Sequence, residues 1–268
     1  MFYINYPNPN VSVLPILISV PHCGTEIPPE LVGKYKVDKI EDLDDTDWFL
    51  QDLYSFAADM GIMVVFARYH RWVIDLNRQP DAKPLYTDGR VITGLVPTTD
   101  FLGNPIYNEG QEPNEAEIGS RLAQYFVPYH QEIEKQLTKL QNLFPHVLLY
   151  DAHSIRQFVP SIRPTAFPDM ILGTNDGASA HPELIATALA MLRTGKYQVN
   201  HNDPFKGGYI TRHFGQPSQN RHAIQLERAK IYYMQDDERQ YSRERASEMQ
   251  QFLKNMLHQL AQVLLKLD

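Results

Sequence analysis

The sequence predicts a single α/β domain in which helices cover the faces of a largely parallel or mixed sheet. Apolar runs typical of buried strands alternate with helical patterns along most of the chain. The 268 residues are 43% hydrophobic and 21% charged, which is ordinary for a globular domain that buries a sizeable core. No internal repeat, low-complexity tract or Gly/Ser linker divides the chain. These three observations favour one domain over residues 1–268.

The first part of the chain contains two predicted strands, a predicted helix and a possible third strand. VLPILISVPH (13–22) is an apolar run that ends in Pro and Gly, so it predicts a buried strand leading into a loop. A helical apolar stripe over 48–61 follows the acidic run 44–47, whose side chains favour a helix N-cap. IMVVFARY (62–69) predicts the second strand, and RWVIDLN (71–77) is the possible third.

The second part begins with a long connection. Residues 78–112 are rich in Pro, Gly, Thr and Asp, and a connection of that length in a compact domain usually covers a site. The predicted elements that follow are an amphipathic helix (115–144), strands within 146–154 and 168–174, a helix (182–192), two strands around a glycine pair (197–215), a strand within 222–234 and a C-terminal helix (about 242–267).

Composition and charge argue against several classes of function. The net charge of −7 comes without a basic stripe, so nucleic acid is not an expected partner. No run of roughly 18 apolar residues lacks a charge, so no membrane span is expected. Cys23 is the single cysteine, which excludes an internal disulfide and, with no signal-peptide pattern, predicts a cytoplasmic protein. A few arginines can still hold a small anionic substrate. The oligomeric state is not predicted.

Two histidines lie at predicted strand ends. His22 follows the first strand, and His153 ends the strand HVLLYDAHS. Ligands of α/β proteins bind at the carboxyl ends of the strands, and histidine is a common zinc ligand there. Asp151 shares the strand face of His153, so it could orient the imidazole or bind a metal itself. A polar turn is the structural alternative at both places. Ser154 suggests a serine hydrolase, but no G-x-S-x-G surrounds it and neighbouring strand residues point apart.

The acidic run before the first predicted helix offers a third ligand. Helix capping explains one or two of the carboxylates Asp44, Asp45 and Asp47, and the remaining one could bind a metal. A catalytic zinc site has typically three protein ligands and a water. The residues alone do not choose between Asp45 and Asp47.

An arginine-rich segment could bind a carboxylate. The planar guanidinium groups of Arg71 and Arg78 suit bidentate binding, although most surface arginines have no specific role. Asp75 and Asn77 lie on one side of the predicted strand and could fix either arginine.

A glutamate and a glycine pair mark the last candidate region. Gly207 and Gly208 indicate a tight turn or a close approach of the backbone to a ligand. Glu227 interrupts the apolar strand AIQLERA, and a buried unpaired carboxylate is costly, so we expect it near solvent, an arginine or a metal-bound water. Glu227 is therefore a candidate general base, with pairing to Arg228 as the structural alternative.

In their order along the chain, these segments resemble the N-formylglutamate amidohydrolase family. The resemblance extends over about residues 16–235, and the matching segments are SVPHCGTEIP, DTDWFLQDLY, RYHRWVIDLNR, GLVPTTDFLGNPIY, LYDAHS, NDPFKGGYITRHFG and IQLERAKIYYM. It implies a three-layer α/β sandwich like that of zinc carboxypeptidases and aspartoacylases, of the phosphorylase/hydrolase-like type. It also implies hydrolysis of N-formyl-L-glutamate to formate and glutamate, the last step of one histidine-degradation route.

The same resemblance implies roles for individual residues. One Zn2+ ion is expected on His22, His153 and Asp47, with Asp45 as the alternative acid. Glu227 is expected to be the catalytic base, and the expected substrate-binding residues are Arg71, Asn77, Arg78 and Arg212. The carboxypeptidase pattern H-x-x-E is absent, because Glu26 comes one position too late. Alternative functions are another N-acyl amino acid amidohydrolase, a zinc carboxypeptidase and a non-catalytic module that binds an acidic metabolite.

Overall fold

A mixed sheet organises the computed structural model, which describes residues 1–81, 94–160 and 162–267. The strands in these residues are β1 (Phe2–Asn5), β2 (Ile16–Val20), β3 (Met63–Ala67), β4 (Val147–Ile155), β5 (Met170–Gly173), β6 (Val199–His201) and β7 (Arg221–Ala229). Their order across the sheet is β1-β3-β2-β4-β7-β5-β6. The pairs β1–β3 and β5–β7 are antiparallel and the other four are parallel, so the predicted mixed, mostly parallel sheet is confirmed.

Helices cover both faces of this sheet. The described α-helices are α1 (Pro29–Val32), α2 (Val37–Asp42), α3 (Leu50–Leu53), α4 (Glu115–Arg121), α5 (Val127–Gln141), α6 (Pro182–Leu192), α7 (Tyr209–Phe214) and α8 (Arg243–Leu264). One apolar core contains residues of α3, α6 and α8, and the other contains residues of α5 and α7. The result is the predicted three-layer arrangement. In the described residues, no helix has the length and apolarity needed to cross a bilayer.

The central strand β4 contributes side chains to both faces of the sheet. All nine of its residues are buried, as expected for a strand with parallel neighbours on both sides. Successive side chains of a strand point to opposite faces. Leu149 therefore joins the core that contains α5, while Tyr150 joins the core that contains α8. Asp151 and His153 continue the face of Leu149 toward the carboxyl end of the sheet.

Three predictions of local structure are wrong. The segment 71–77 forms turns rather than a strand, because its polar side chains bind buried partners instead of extending a ladder. Residues Tyr209–Phe214 form α7 rather than a second strand, and the Asn77 side chain accepts a hydrogen bond from the backbone of its first turn. The acids of 44–47 do not cap α3, whose N-cap is Phe49 without a side-chain bond.

The other predicted elements agree with the structure to within a few residues. The predicted helix 115–144 comprises α4, a π-helical segment (Leu122–Phe126) and α5. The predicted helix over 48–61 is the short α3 followed by a 3-10 turn (Ser55–Met60). Of the long connection 78–112, residues 82–93 lie outside the described ranges. The edge strand β1 has no counterpart among the predicted elements.

Candidate active site

Three buried side chains from separate segments converge at the carboxyl ends of β2 and β4. His22 lies just after β2, Asp47 precedes α3, and His153 belongs to β4; each is 3% exposed. One nitrogen or oxygen atom from each side chain lies within 4.8 Å of the other two. The Oδ2 atom of Asp47 is 3.3 Å from Nδ1 of His153 and 4.0 Å from Nδ1 of His22. Ligand atoms of a tetrahedral zinc site stand about 3.3 Å apart. The Asp47–His153 separation matches this value and the Asp47–His22 separation is wider, so the three side chains could hold a metal ion.

Two further carboxylates hold the far nitrogen atoms of these rings. The Oδ1 atom of Asp75 lies 2.7 Å from Nε2 of His22, and Oδ2 of Asp151 lies 3.0 Å from Nε2 of His153. Both carboxylates are fully buried. A proton held at Nε2 orients each ring so that Nδ1 faces Asp47, and a ring whose Nδ1 carries no proton is in the state of an imidazole that binds a metal. The prediction that Asp151 and His153 share one strand face is confirmed.

The structure places Asp47, and not Asp45, beside the two histidines. The backbone N–H of Asp47 donates to the His22 carbonyl oxygen at 2.9 Å, and its Oδ2 accepts a hydrogen bond from the backbone N–H of Ser154. Asp45 instead accepts hydrogen bonds from the indole N–H of Trp72 and from the backbone N–H of Phe101. Asp45 therefore anchors a loop, while Asp47 completes the group that could bind a metal.

The charges around this group are mainly negative. Burial lowers the pKa of His22 to about 4, with the positive charge of Arg71 acting in the same direction. Burial also opposes protonation of His153, but the carboxylates Asp151, Asp47 and Glu227 together hold its pKa well above the ordinary value. A proton on His153 thus partly balances a surplus of buried negative charge. A divalent cation at the same place would balance it more fully.

Glu227 lies directly beside His153. The two residues are partners in the parallel ladder of β4 and β7, so their side chains project from the same face. Burial raises the pKa of Glu227 to about 7, and its exposed fraction is 9%. Its carboxylate receives no hydrogen bond from the described residues. The alternative of pairing with Arg228 is wrong, because that side chain donates to the hydroxyls of Tyr54 and Tyr150 on the opposite face.

Asn77 connects the histidine pair to the glycine segment. Its Nδ2 donates to Oδ2 of Asp151 at 3.1 Å and lies 2.9 Å from Nε2 of His153, while its Oδ1 accepts from the backbone N–H of Ile210 at 2.8 Å. Gly208 faces this amide so closely that a Cβ there would lie 2.4 Å from it. Gly207 has a φ of +105°, which favours glycine. The close backbone approach expected from the glycine pair therefore occurs against a side chain of the protein.

The three arginines expected to bind substrate have different surroundings. Arg71 is buried, donates to Oδ2 of Asp75 at 2.5 Å, lies 3.2 Å from Nδ1 of His22 and stacks over Phe101. Arg78 lies in the same segment, and its Nε is 4.0 Å from Oδ2 of Asp75. Arg212 belongs to α7 and donates from Nε to the Gly207 carbonyl oxygen at 2.9 Å. Arg71 is thus in contact with the histidine group itself.

The sequence interpretation is incomplete at two charged residues near this group. Asp75 binds Arg71, one of the two arginines it was expected to fix, but it also binds His22. The interpretation did not identify Asp75 as the partner of His22, because nothing in the residue pattern relates positions so far apart. It also did not consider Lys230, which follows β7 immediately and is 3% exposed. A lysine next to a fully buried strand was the one available signal, since buried lysines are rare without a partner.

Comparisons with known proteins agree with one another. The sequence model of the family described as N-formylglutamate amidohydrolase matches residues 14–234. A Pseudomonas aeruginosa protein named N-formylglutamate deformylase is 45% identical over 224 residues, which are 83% of each chain. A Pseudomonas putida protein of the same name is 42% identical over 250 residues, which are 92% of each chain.

Two solved structures share the fold. The crystal structure of an N-formylglutamate amidohydrolase from Ralstonia eutropha superposes with a TM-score of 0.83 at 24% identity and covers 98% of each chain. A gene product of Agrobacterium tumefaciens superposes with a TM-score of 0.75 at 15% identity, covering 98% of this chain and 95% of its own.

Proposed function

The chain belongs to the N-formylglutamate amidohydrolase family, and from this premise we propose that it hydrolyses N-formyl-L-glutamate to formate and L-glutamate. The two relatives named deformylases support the proposal over most of their length. One observation carries it: Glu227, a buried carboxylate without a hydrogen-bond donor in the described residues, lies beside a group of side chains suited to a metal ion. Water-dependent cleavage of an amide needs both a base and an electrophile at one place.

Zinc is the ion that this site suits best. Two imidazole nitrogens and one carboxylate oxygen are a donor set of catalytic zinc sites, which keep a fourth position for water or substrate. His22, Asp47 and His153 would hold the ion, with Asp75 and Asp151 fixing the two rings. A bound cation of this kind polarises an acyl carbonyl and makes a water molecule more acidic.

Glu227 supplies the proton transfers in this proposal. Its carboxylate accepts a proton from the attacking water and returns it to the nitrogen of the leaving amine. A base that must also act as an acid works best with a pKa near the working pH. The pKa of Glu227, which burial raises to about 7, suits both steps. The electron pair of the broken C–N bond then remains on the protonated glutamate nitrogen, and formate leaves with the water oxygen.

The arginines bind the oxygen atoms of the substrate. Arg71 lies beside His22, so we assign it to the formyl oxygen, where negative charge develops during attack. Arg78 and Arg212 are assigned to the α-carboxylate. Asn77 is retained as a substrate-binding residue, and its hydrogen bonds to Asp151 and Ile210 also give it a positioning role. A cytoplasmic location and a place in histidine degradation belong to the same proposal.

A substrate panel tests this function. Formate release from N-formyl-L-glutamate is compared with release of acetate from N-acetyl-L-glutamate and of glutamate from a short peptide, with and without a zinc chelator. We expect formate release to exceed the other reactions and to stop after chelation. Faster acetate or peptide cleavage would identify a related amidohydrolase or a carboxypeptidase. Tight binding of glutamate without any turnover would identify a metabolite-binding module.

A further inference from the structure

A small cavity lies next to the candidate active site. Its volume is about 60 Å³, and the lining includes Asp44, Asp45, Ser154, Arg156 and Lys230. The backbone N–H of Ser154 donates to Oδ2 of Asp47 at 3.2 Å, and the charge of Asp47 acts on Lys230, so the cavity adjoins the metal group without being lined by it. At roughly 30 Å³ per water molecule, this volume suits a group of a few heavy atoms.

Lys230 is the unusual residue of this cavity. Its side chain is 3% exposed, and no described residue forms a hydrogen bond or an ion pair with its ammonium group. Burial lowers its pKa and the charge of Arg156 acts in the same direction, while the charges of Asp47, Asp44 and Glu238 act in the opposite direction. A buried charge without a partner costs free energy, and folded proteins rarely keep one unless a ligand compensates for it. The cavity therefore offers a positive group that is available to an anion.

The acids in the same lining are already occupied. Asp44 accepts a hydrogen bond from Nη2 of Arg156. Asp45 accepts from Nε1 of Trp72 at 2.8 Å and from the backbone N–H of Phe101, and burial raises its pKa to about 6. These contacts direct the two carboxylates toward protein donors. Arg156 is bound to Asp44, so Lys230 is the cation of this lining to which no described residue is hydrogen-bonded.

We propose that Lys230 binds the side-chain carboxylate of the substrate and thereby gives the enzyme its preference for an acidic amino acid. This inference rests on the proposed function. The side-chain carboxyl carbon of N-formylglutamate is five bonds from the formyl carbon, whereas the α-carboxyl carbon is three bonds away. A cavity that lies beside the metal group, rather than within it, suits the more distant carboxylate.

The test compares two substrates that differ only in this charge. Formate release is measured on N-formyl-L-glutamate and N-formyl-L-glutamine for the zinc-loaded wild type, Lys230→Met, Lys230→Arg and the exposed control Lys135→Met. We expect Lys230→Met to lose about 10- to 100-fold in kcat/KM on the glutamate substrate, mainly through KM, and much less on the glutamine substrate. Lys230→Arg should restore part of the preference, and Lys135→Met should match the wild type.

The outcomes separate this inference from the proposed function. Unchanged kcat/KM on both substrates in Lys230→Met, in a wild type that hydrolyses N-formylglutamate, would overturn the role of Lys230 alone. An equal loss on both substrates would also overturn it, because a specificity residue must distinguish them. A wild type that releases formate from neither substrate would overturn the proposed function and this inference with it. Zinc content and unfolding temperature are measured for each variant to detect misfolding.

Discussion

The Oδ1 atom of Asp75 lies 2.7 Å from Nε2 of His22, although 53 positions separate the two residues in the sequence. The same carboxylate accepts a hydrogen bond from Arg71 through its other oxygen, so it holds the ring and the guanidinium together. Asp151 holds His153 in the same way. Each histidine thus presents Nδ1 to Asp47, and the geometry of the site depends on two carboxylates outside the three proposed metal ligands.

Asp75→Asn tests that dependence. An amide cannot accept the His22 proton as strongly, so the ring becomes a weaker ligand and loses its fixed orientation. We expect zinc affinity to fall by about 10- to 100-fold. Titration against a competing chelator measures it, and Asp169→Asn, which alters a carboxylate bound to Gln198 away from the site, is the control. Equal zinc affinity in both variants would show that Asp75 does not support the ligand.

Glu227→Gln tests the catalytic base. The variant keeps the shape of the side chain but cannot accept a proton, so we expect kcat to fall by about 10²- to 10⁴-fold. Zinc content should be unchanged, since Glu227 is not among the three proposed ligands. Glu238→Gln alters a partly buried carboxylate outside the group of proposed site residues and serves as the control. Turnover near that of the wild type would assign the base to a different residue.

Gly208→Ala tests the contact between the glycine segment and Asn77. A Cβ at this position would lie 2.4 Å from the amide, which is held by hydrogen bonds to Asp151 and Ile210 and cannot easily move. We expect a loss of about 1–3 kcal/mol in the free energy of unfolding and a lower kcat. Gly119→Ala is the control, because a Cβ there meets no atom within 4 Å and should stabilise α4. Equal unfolding temperatures in the two variants would contradict the contact.

The histidine cluster at the opposite end of the sheet predicts a dependence of stability on pH. His222 lies 3.1 Å from Nδ1 of His146 and accepts a hydrogen bond from the backbone N–H of His181. Burial and the charges of these two histidines lower the pKa of His222 to about 4. The unfolded chain therefore binds the proton first, and stability falls as the pH drops from about 6.5 to 4.

His222→Gln measures the contribution of this residue. The variant retains hydrogen-bonding groups but does not titrate, so we expect its loss of unfolding free energy between pH 6.5 and 4 to be about 2 kcal/mol smaller than that of the wild type. Denaturant titrations at fixed zinc concentration across this range give the difference. Parallel pH profiles for the two proteins would assign the acid sensitivity to other groups.

Much of the fold was predictable because strand and helix periodicities are local properties of the sequence. The buried run of β4 and the spacing of Asp151 and His153 are sufficient to place both side chains on one face of the strand. The errors occur where tertiary contacts overrule local preference. The turns at 71–77 exist because Asp75 and Asn77 bind groups elsewhere in the chain, and α7 begins at a hydrogen bond from the same Asn77.

The site was predictable in its residue types but not in its pairings. Asp45 and Asp47 are the same residue type in the same acidic run, so the sequence does not distinguish them. The loop geometry directs Asp45 to Trp72 and Asp47 to His153. Arg228 is adjacent to Glu227 in sequence but projects from the opposite face of β7, where it meets Tyr54. The burial of Lys230 depends on the packing around the end of β7, which is not a local property of the sequence.

The metal content of the wild type, Asp45→Asn and Asp47→Asn tests the central claim most directly. We expect about one zinc per chain in the wild type and in Asp45→Asn, and little in Asp47→Asn, with formate release falling in step with the metal. Full zinc occupancy in Asp47→Asn, or undiminished formate release by a metal-free wild type, would contradict the account.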